Sequence, residues 1–240
     1  VEIQEEPDPV EQLVETFINL HETNMIANGI PGGAVAIVKG DSVYYSGGFG
    51  PRKKGEEAMV DEHTVFRLGS LSKAFAGLVA IKLSEEGLLN LEELVSEALP
   101  NFSLQRVDLT KQLRVKHLLC HSLALPRHSL TYSIEKKSSA ARIIQEIPKL
   151  KNEGVPGQDY AYQNLGYYLL EEILEKKSGK SFEELLQTYI FGPADMQDVS
   201  LSKEEHLQQI NKAIPHKRID KRFQPRSLNH KYYNALAAGE

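Results

Sequence analysis

The stretch from residue 91 to residue 187 carries almost no β-strand signal, and this narrows the possible folds more than any other feature. Apolar residues recur there at helical spacing in three segments, 115–119, 140–147 and 167–174. The sequence Ser181-Phe-Glu-Glu184 has the form of a helix capping box. The pattern therefore predicts a mainly helical domain over residues 90–209.

The N-terminal part of the chain predicts a different, mixed architecture. Residues 10–25 show an amphipathic helical pattern that ends at Asn28-Gly29. Two short strand patterns follow, at 34–38 and 42–46, and Lys39-Gly40-Asp41 between them is typical of a hairpin turn. We expect a helix and then a β-hairpin.

A third strand is predicted at residues 64–68, directly before a long helical pattern that starts at Ser70. We assign residues 1–89 to the N-terminal part of an α/β domain, and residues 210–240 to a loop that returns toward it, with the remainder of that domain missing. The expected fold class is α+β, with the helical domain packed on an incomplete antiparallel sheet with flanking helices. An uncovered sheet edge and apolar helix face would favour self-association.

Charge and composition exclude several classes of protein. The 28 Lys and Arg against 33 Asp and Glu give a net charge of -5, so nucleic acid is not an expected partner. No apolar run reaches the roughly 18 to 20 residues of a membrane span. The opening VEIQEEPDP has neither the basic start nor the apolar run of a signal peptide. Cys120, the single cysteine, cannot form an internal disulfide.

Nucleotide and metal motifs fail at particular positions. Leu174 occupies the position where a phosphate-binding loop requires a glycine. Lys53 occupies the position of the third glycine of a dinucleotide-binding loop. His117 and His121 have helical spacing, but Leu118 replaces the glutamate of a zinc hydrolase motif and no third ligand is evident. We expect no metal site here and a packing role for the two histidines.

The sequence Ser70-Leu-Ser-Lys73 is the first candidate for chemistry. At the start of a helix, this spacing places the lysine amine on the same face as the serine hydroxyl. A desolvated, neutral lysine can take the serine proton, and the free N–H groups of the first turn favour negative charge nearby. The alternative is that Ser70 only caps the helix and Lys73 lies at the surface, since S-x-x-K occurs often by chance.

A second candidate segment is PGQDYAYQN at 156–164. The Pro156-Gly157 turn leads an extended aromatic segment into the start of another helix. Such a rigid loop can present the Tyr162 hydroxyl and the Asn164 amide. The alternative is a turn followed by aromatic residues of the core.

Four segments in this order resemble the serine β-lactamase and penicillin-binding-protein superfamily. They are FRLGSLSK (66–73), VKHLLCHS (115–122), PGQDYAYQN (156–164) and IFGPADM (190–196). The second motif is Y-x-N rather than the S-D-N of the class A branch. The chain, from about residue 32 onward, is therefore similar to class C β-lactamases, D-Ala-D-Ala carboxypeptidases and related esterases or peptidases.

The resemblance implies a role for each candidate residue. Ser70 would be the acylated nucleophile, Lys73 its proton acceptor or electrostatic partner, and Tyr162 the proton shuttle. Asn164 would bind Lys73 and the acylamide of the substrate. The Ser70 N–H would supply half of an oxyanion hole. The family uses no metal and no organic cofactor, and the resemblance suggests a periplasmic or exported protein.

The sequence departs from the family pattern in two turns and at its end. The usual Thr-Ser-Gly-Leu is Ser122-Leu-Ala-Leu125, and the usual Pro-Leu-Gly-Met is Pro193-Ala-Asp-Met196. The third motif, a Lys-Thr-Gly or His-x-Gly on a late strand that supplies the second oxyanion N–H, does not occur before Glu240. We expect this chain alone to be a fragment with little or no turnover.

The expected function is that of a serine acyl-transfer hydrolase, which forms a Ser70 acyl-enzyme with a β-lactam, a D-Ala-D-Ala peptide or an ester. Lactamase, carboxypeptidase and esterase share the first two motifs, so the sequence does not separate them. The alternative is a noncatalytic binding or scaffold protein with a β-lactamase-like fold.

Overall fold

The computed structural model describes residues 8–227 and 235–239. Contacts divide the chain into two compact units: the described residues of Val1–Phe66 with Gln208–Asn229, and those of Arg67–Leu207 with His230–Glu240. The domain boundaries expected from the sequence, at 89/90 and 209/210, stay a prediction. The helix-rich chain with small antiparallel sheets has the predicted α+β class.

Helix α1 and a hairpin open the first unit, as predicted. Helix α1 spans Pro9–Ala27; the Asp8 carboxylate accepts the Val10 N–H at 2.9 Å, and a proline occupies the first turn. Strand β1 (Gly33–Lys39) pairs antiparallel with β2 (Ser42–Phe49). Gly40 in the turn has φ of +58°, a backbone conformation that glycine adopts at little cost.

The third strand predicted at residues 64–68 is wrong. Only Val65 pairs: its N–H donates to the Asn211 carbonyl and its own carbonyl accepts from Ala213 N, both at 2.9 Å. This is an isolated parallel bridge between Val65 and Lys212. The partner segment is not itself a strand, so the pairing does not extend.

A second hairpin lies within the region that the sequence predicts as a loop. Strand β3 (His216–Ile219) pairs antiparallel with β4 (Arg222–Pro225). The two turn residues, Asp220 and Lys221, both have positive φ, at 46° and 63°. A two-residue type I′ turn needs positive φ at both positions. The pair Asp220-Lys221 lacks the glycine that normally indicates such a turn in a sequence.

Helices form the second unit. Its elements are α2 (Ser72–Glu85), α3 (Val95–Ala98), α4 (Val107–Thr110), α5 (Val115–Leu119), α6 (Thr131–Glu135), α7 (Ala140–Glu146), α8 (Asn164–Ser178), α9 (Phe182–Leu186), α10 (Lys203–Gln208) and α11 (Leu236–Gly239). Helix α8 is central, with α2, α5, α6, α9 and α11 packed around it. Helices α5, α7 and α8 confirm the three predicted helical segments.

The core of this unit is aliphatic and close to fully buried. Leu83 of α2, Leu118 of α5, Leu169 of α8 and Phe182 of α9 are buried together. The predicted capping box of α9 is present, with Ser181 N donating to the Glu184 carboxylate at 2.7 Å and Glu184 N donating to Ser181 Oγ at 3.2 Å. Within residues 8–227 and 235–239, no helix has the length and apolar character that crossing a membrane requires.

Candidate active site

Ser70 lies exposed in a short turn immediately before the long helix α2. Residues Gly69–Leu71 form a single 3₁₀ turn, and α2 begins at Ser72. Gly69 has φ of +55°, in the left-handed region where glycine is favoured. The turn presents the hydroxyl of Ser70 to solvent, where a substrate can reach it.

Lys73 is buried beside this hydroxyl, with a side chain 7% exposed. Its ammonium group donates to Ser70 Oγ at 3.3 Å, to Asn164 Oδ1 at 2.9 Å and to the carbonyl oxygen of Ala238. These acceptors match the three donors of a protonated lysine. The alternative of a helix-capping serine and a surface lysine is excluded, because α2 has no side-chain cap and Lys73 is in the interior.

Tyr162 reaches the same serine from the other side. Its hydroxyl donates to Ser70 Oγ at 2.6 Å, and Lys73 Nζ lies 4.9 Å from the centre of its ring. The structure thus brings together all four residues singled out from the sequence, Ser70, Lys73, Tyr162 and Asn164. The role of each in a reaction stays a prediction.

The surroundings of Lys73 and Tyr162 lower the pKa of both side chains. Desolvation lowers the pKa of the Lys73 ammonium, although Tyr162 opposes the effect. Burial alone would raise the pKa of Tyr162, but hydrogen bonding to Lys73 and Ser70 and the charges of Lys73 and Arg127 outweigh it, so the pKa is lowered. Both shifts bring the pKa values of the two groups closer to neutral pH, where a proton passes more readily between them.

Gln163, which the sequence patterns do not single out, holds Tyr162 in place. Gln163 is fully buried and ties its segment to a neighbouring loop: its Oε1 accepts from Ser129 N at 3.1 Å and its Nε2 donates to the Leu125 carbonyl at 3.0 Å. The Gln163 N–H donates to Nδ1 of His121 at 3.2 Å. The alternation of an extended segment is the signal that identifies it: Tyr162 contacts Ser70 and Asn164 contacts Lys73, so the side chain of Gln163 between them points away.

The two histidines act in packing, as expected. The centre of the His121 ring lies 4.5 Å from that of the Tyr162 ring, with the two planes tilted by 38°. His117 Nδ1 accepts the Arg114 N–H at 3.2 Å. Its other nitrogen faces the Pro156-Gly157 turn, where a Cβ on Gly157 would approach it to 2.7 Å. Gly157 also has φ of +82°, so this turn needs glycine.

Comparison with protein families and solved structures gives consistent matches. The family model described as Beta-lactamase matches residues 10–239. Penicillin-binding protein 4* of Bacillus subtilis (strain 168) is 31% identical over 217 residues, which cover 88% of this chain and 43% of that protein.

Solved structures match over almost the whole chain. The octameric penicillin-binding protein homologue from Pyrococcus abyssi superposes with a TM-score of 0.78 and 28% identity, covering 97% of this chain and 53% of that one. A class C beta-lactamase superposes with a TM-score of 0.79 and 23% identity, covering 98% of this chain and 62% of the other. The chain thus spans less than half of the curated relative and under two thirds of these structures.

Proposed function

The chain belongs to the beta-lactamase family, and from this we propose that it is a serine acyl-transfer hydrolase with Ser70 as its nucleophile. The predicted superfamily and its β-lactamase and transpeptidase-like fold are confirmed. One observation carries the proposal: Ser70 Oγ lies between two proton-exchanging groups, 3.3 Å from Lys73 Nζ and 2.6 Å from the Tyr162 hydroxyl.

Acylation starts with attack of Ser70 Oγ on the substrate carbonyl. As the new C–O bond forms, the serine proton passes to the Tyr162 oxygen, which can accept it in the phenolate form. The lowered pKa of Tyr162 increases the fraction in that form. Lys73 remains an ammonium ion and stabilises the phenolate, and the Ser70 N–H donates to the oxyanion of the tetrahedral intermediate.

Collapse of the intermediate and hydrolysis use the same groups in reverse order. Tyr162 returns the proton to the leaving nitrogen or oxygen as the bond to the substrate carbonyl carbon breaks. A water molecule then attacks the acyl carbon, gives its proton to Tyr162, and Ser70 leaves with that proton. Asn164, which accepts a hydrogen bond from Lys73 at 2.9 Å, keeps the amine in position and offers its amide N–H to the substrate.

The proposed substrates are β-lactams, D-Ala-D-Ala peptides or esters, all of which offer a carbonyl with a leaving group. The rate at which the Ser70 adduct is hydrolysed distinguishes these reactions. A long-lived adduct with penicillin indicates a penicillin-binding peptidase, whereas rapid turnover indicates a lactamase.

The test is covalent labelling of Ser70. We expect a fluorescent penicillin or an activated ester to add its acyl group to the full-length protein, and peptide mass spectrometry to place it on Ser70. Ser70→Ala should abolish the label, while Ser72→Ala, two residues away at the start of α2, should retain it. If the full-length protein forms no adduct with any β-lactam or activated ester, the proposal is refuted.

We also propose self-association and export from the cytoplasm. The Pyrococcus abyssi homologue is described as octameric. In this chain, Leu13, Phe17 and Leu20 of α1 are exposed apolar side chains, of the kind that subunit interfaces bury. Light scattering of the purified chain tests self-association. Cell fractionation of the native producer tests export from the cytoplasm.

A further inference from the structure

The segment Ala235–Gly239 contributes a backbone atom to the candidate site. Its five residues are buried, and its helix α11 packs on both α2 and α8. The carbonyl of Ala238 accepts a hydrogen bond from Lys73. One of the three hydrogen-bond acceptors of Lys73 is therefore a main-chain carbonyl 165 positions later in the sequence. The position of that carbonyl depends on the contacts that hold residues 235–239 in place.

A carboxyl group of α8 fixes it. Glu171 Oε2 accepts the N–H of Ala237 at 2.8 Å, and Ala237 is the neighbour of the residue whose carbonyl Lys73 uses. Glu171 follows Asn164 by seven residues, so the two side chains lie on one face of α8, two turns apart. Asn164 touches Lys73 directly. Glu171 instead accepts a hydrogen bond from the main chain of α11.

We propose that Glu171 is a positioning residue, which holds Ala235–Gly239 so that the Ala238 carbonyl faces Lys73 and sets the protonation and direction of its amine. This inference rests on the proposed function, in which Lys73 is the electrostatic partner of Ser70 and Tyr162. It adds a residue that neither the two motifs nor the direct contacts of Ser70 identify.

The chemistry of Glu171 supports a dedicated role. Burial raises the pKa of its carboxyl to about 8, and the acids that face it from its own helix and from α9, Glu175, Glu183 and Glu172, raise it further. The Ala237 N–H opposes this shift. At neutral pH the carboxyl is largely protonated, and its carbonyl oxygen still accepts the N–H. Placing a carboxyl group in such surroundings costs free energy, and the hydrogen bond from Ala237 offsets part of that cost.

The experiment measures the reactivity of Lys73 rather than turnover. Trace labelling with isotopic acetic anhydride at pH 7, followed by peptide mass spectrometry, reports the fraction of Lys73 present as free amine. In Glu171→Leu we expect about tenfold more labelling of Lys73, because loss of a charge-assisted hydrogen bond favours the free amine by roughly that factor. Glu171→Gln should label like the wild type, because its amide oxygen accepts the same N–H.

Two further variants make the result decisive. Glu183→Gln removes a facing acid but not the hydrogen bond, and it should leave Lys73 labelling unchanged. Glu171→Asp keeps the carboxyl group but is one methylene too short to reach Ala237, so it should raise labelling as Glu171→Leu does. If Glu171→Leu does not fold, Glu171→Asp carries the comparison.

The outcomes separate this inference from the proposed function. Wild-type labelling of Lys73 in both Glu171→Leu and Glu171→Asp would overturn the inference, as would failure of Glu171→Gln to restore it. Acylation of wild-type Ser70 by fluorescent penicillin is measured on the same samples. If no acylation occurs but Lys73 responds as expected, the proposed function fails and the positioning role of Glu171 stands.

Discussion

The hydroxyl of Tyr162 and Oγ of Ser70 lie 2.6 Å apart, although the two residues are 92 positions apart in the sequence. This contact joins the turn before α2 to the extended segment before α8. In the proposed reaction, it allows a proton to move between the nucleophile Ser70 and its base Tyr162 without an intervening water.

Removal of the phenol hydroxyl should slow acylation. For Tyr162→Phe we expect about 10²- to 10⁴-fold slower labelling of Ser70, the usual contribution of a general base. The rate of fluorescent-penicillin incorporation measures this. Tyr160→Phe is the matched control, because Tyr160 is 68% exposed and lies two residues earlier. Equal rates in Tyr162→Phe and the wild type would assign the proton transfer to another group.

Acylation should depend on pH with a rising and a falling limb. The rate rises as Tyr162 ionises, below the ordinary value of 10.0, because its pKa is lowered. It falls as Lys73 loses its proton, below 10.5, because desolvation lowers that pKa. A plot of the second-order acylation rate against pH would show both limbs.

Arg127 offers a test of the rising limb. Its positive charge is one of the factors that lower the pKa of Tyr162. Arg127→Gln should therefore move the rising limb to higher pH and leave the falling limb in place. A shift of the rising limb to lower pH would contradict this electrostatic account.

The half-buried carboxyl of Glu171 should make the folded state less stable as pH rises. Its folded pKa of about 8 lies above the ordinary 4.5, so the folded chain holds a proton that the unfolded chain has released. Stability is thus full below pH 4.5 and decreases up to about pH 8. Partial exposure reduces the effect, and we expect a loss on the order of 2 kcal/mol.

Urea unfolding at several pH values measures this loss. Glu171→Gln cannot ionise, so the loss should be absent from its unfolding free energy. Glu204→Gln, at an exposed position of α10, should behave as the wild type. Identical pH dependence in Glu171→Gln and the wild type would show that Glu171 titrates normally.

Gln163 should matter for both stability and acylation. Gln163→Ala leaves Ser129 N and the Leu125 carbonyl without their side-chain partner, each at a cost of about 1–3 kcal/mol. Tyr162 and Asn164 on either side lose their fixed geometry, so acylation should also slow. Gln158→Ala, at an exposed position of the same segment, is the control for urea unfolding and labelling.

Side-chain patterns made most of the site predictable, and backbone geometry accounts for the rest. Ser70 and Lys73 follow from helical spacing, and Tyr162 with Asn164 from the resemblance to a family. The Ala238 carbonyl was not predictable, because every residue has a carbonyl and only the fold decides which one meets Lys73. Glu171 was hidden for a related reason, since its partner is a main-chain N–H.

The same distinction explains the differences in the fold. The hairpin at Lys39-Gly40-Asp41 was predictable because glycine marks a left-handed position. The hairpin around Asp220 and Lys221 was not, because its turn contains no glycine to mark the two positions with positive φ. Residues 64–68 have the composition of a β-strand. The neighbouring segment, however, pairs with them at one backbone bridge, between Val65 and Lys212, so no strand forms.

The bond from Lys73 to Ala238 spans 165 positions of sequence, and this has a consequence for the order of folding. On the ribosome, helix α2 and the segment that carries Tyr162 emerge well before Ala238, the last of the three acceptors of Lys73. Contacts of such long range form late, after shorter loops have closed. A nascent chain would therefore carry its serine and lysine for some time without their final arrangement, and its chemical reactivity would mature only when the distal segment docks.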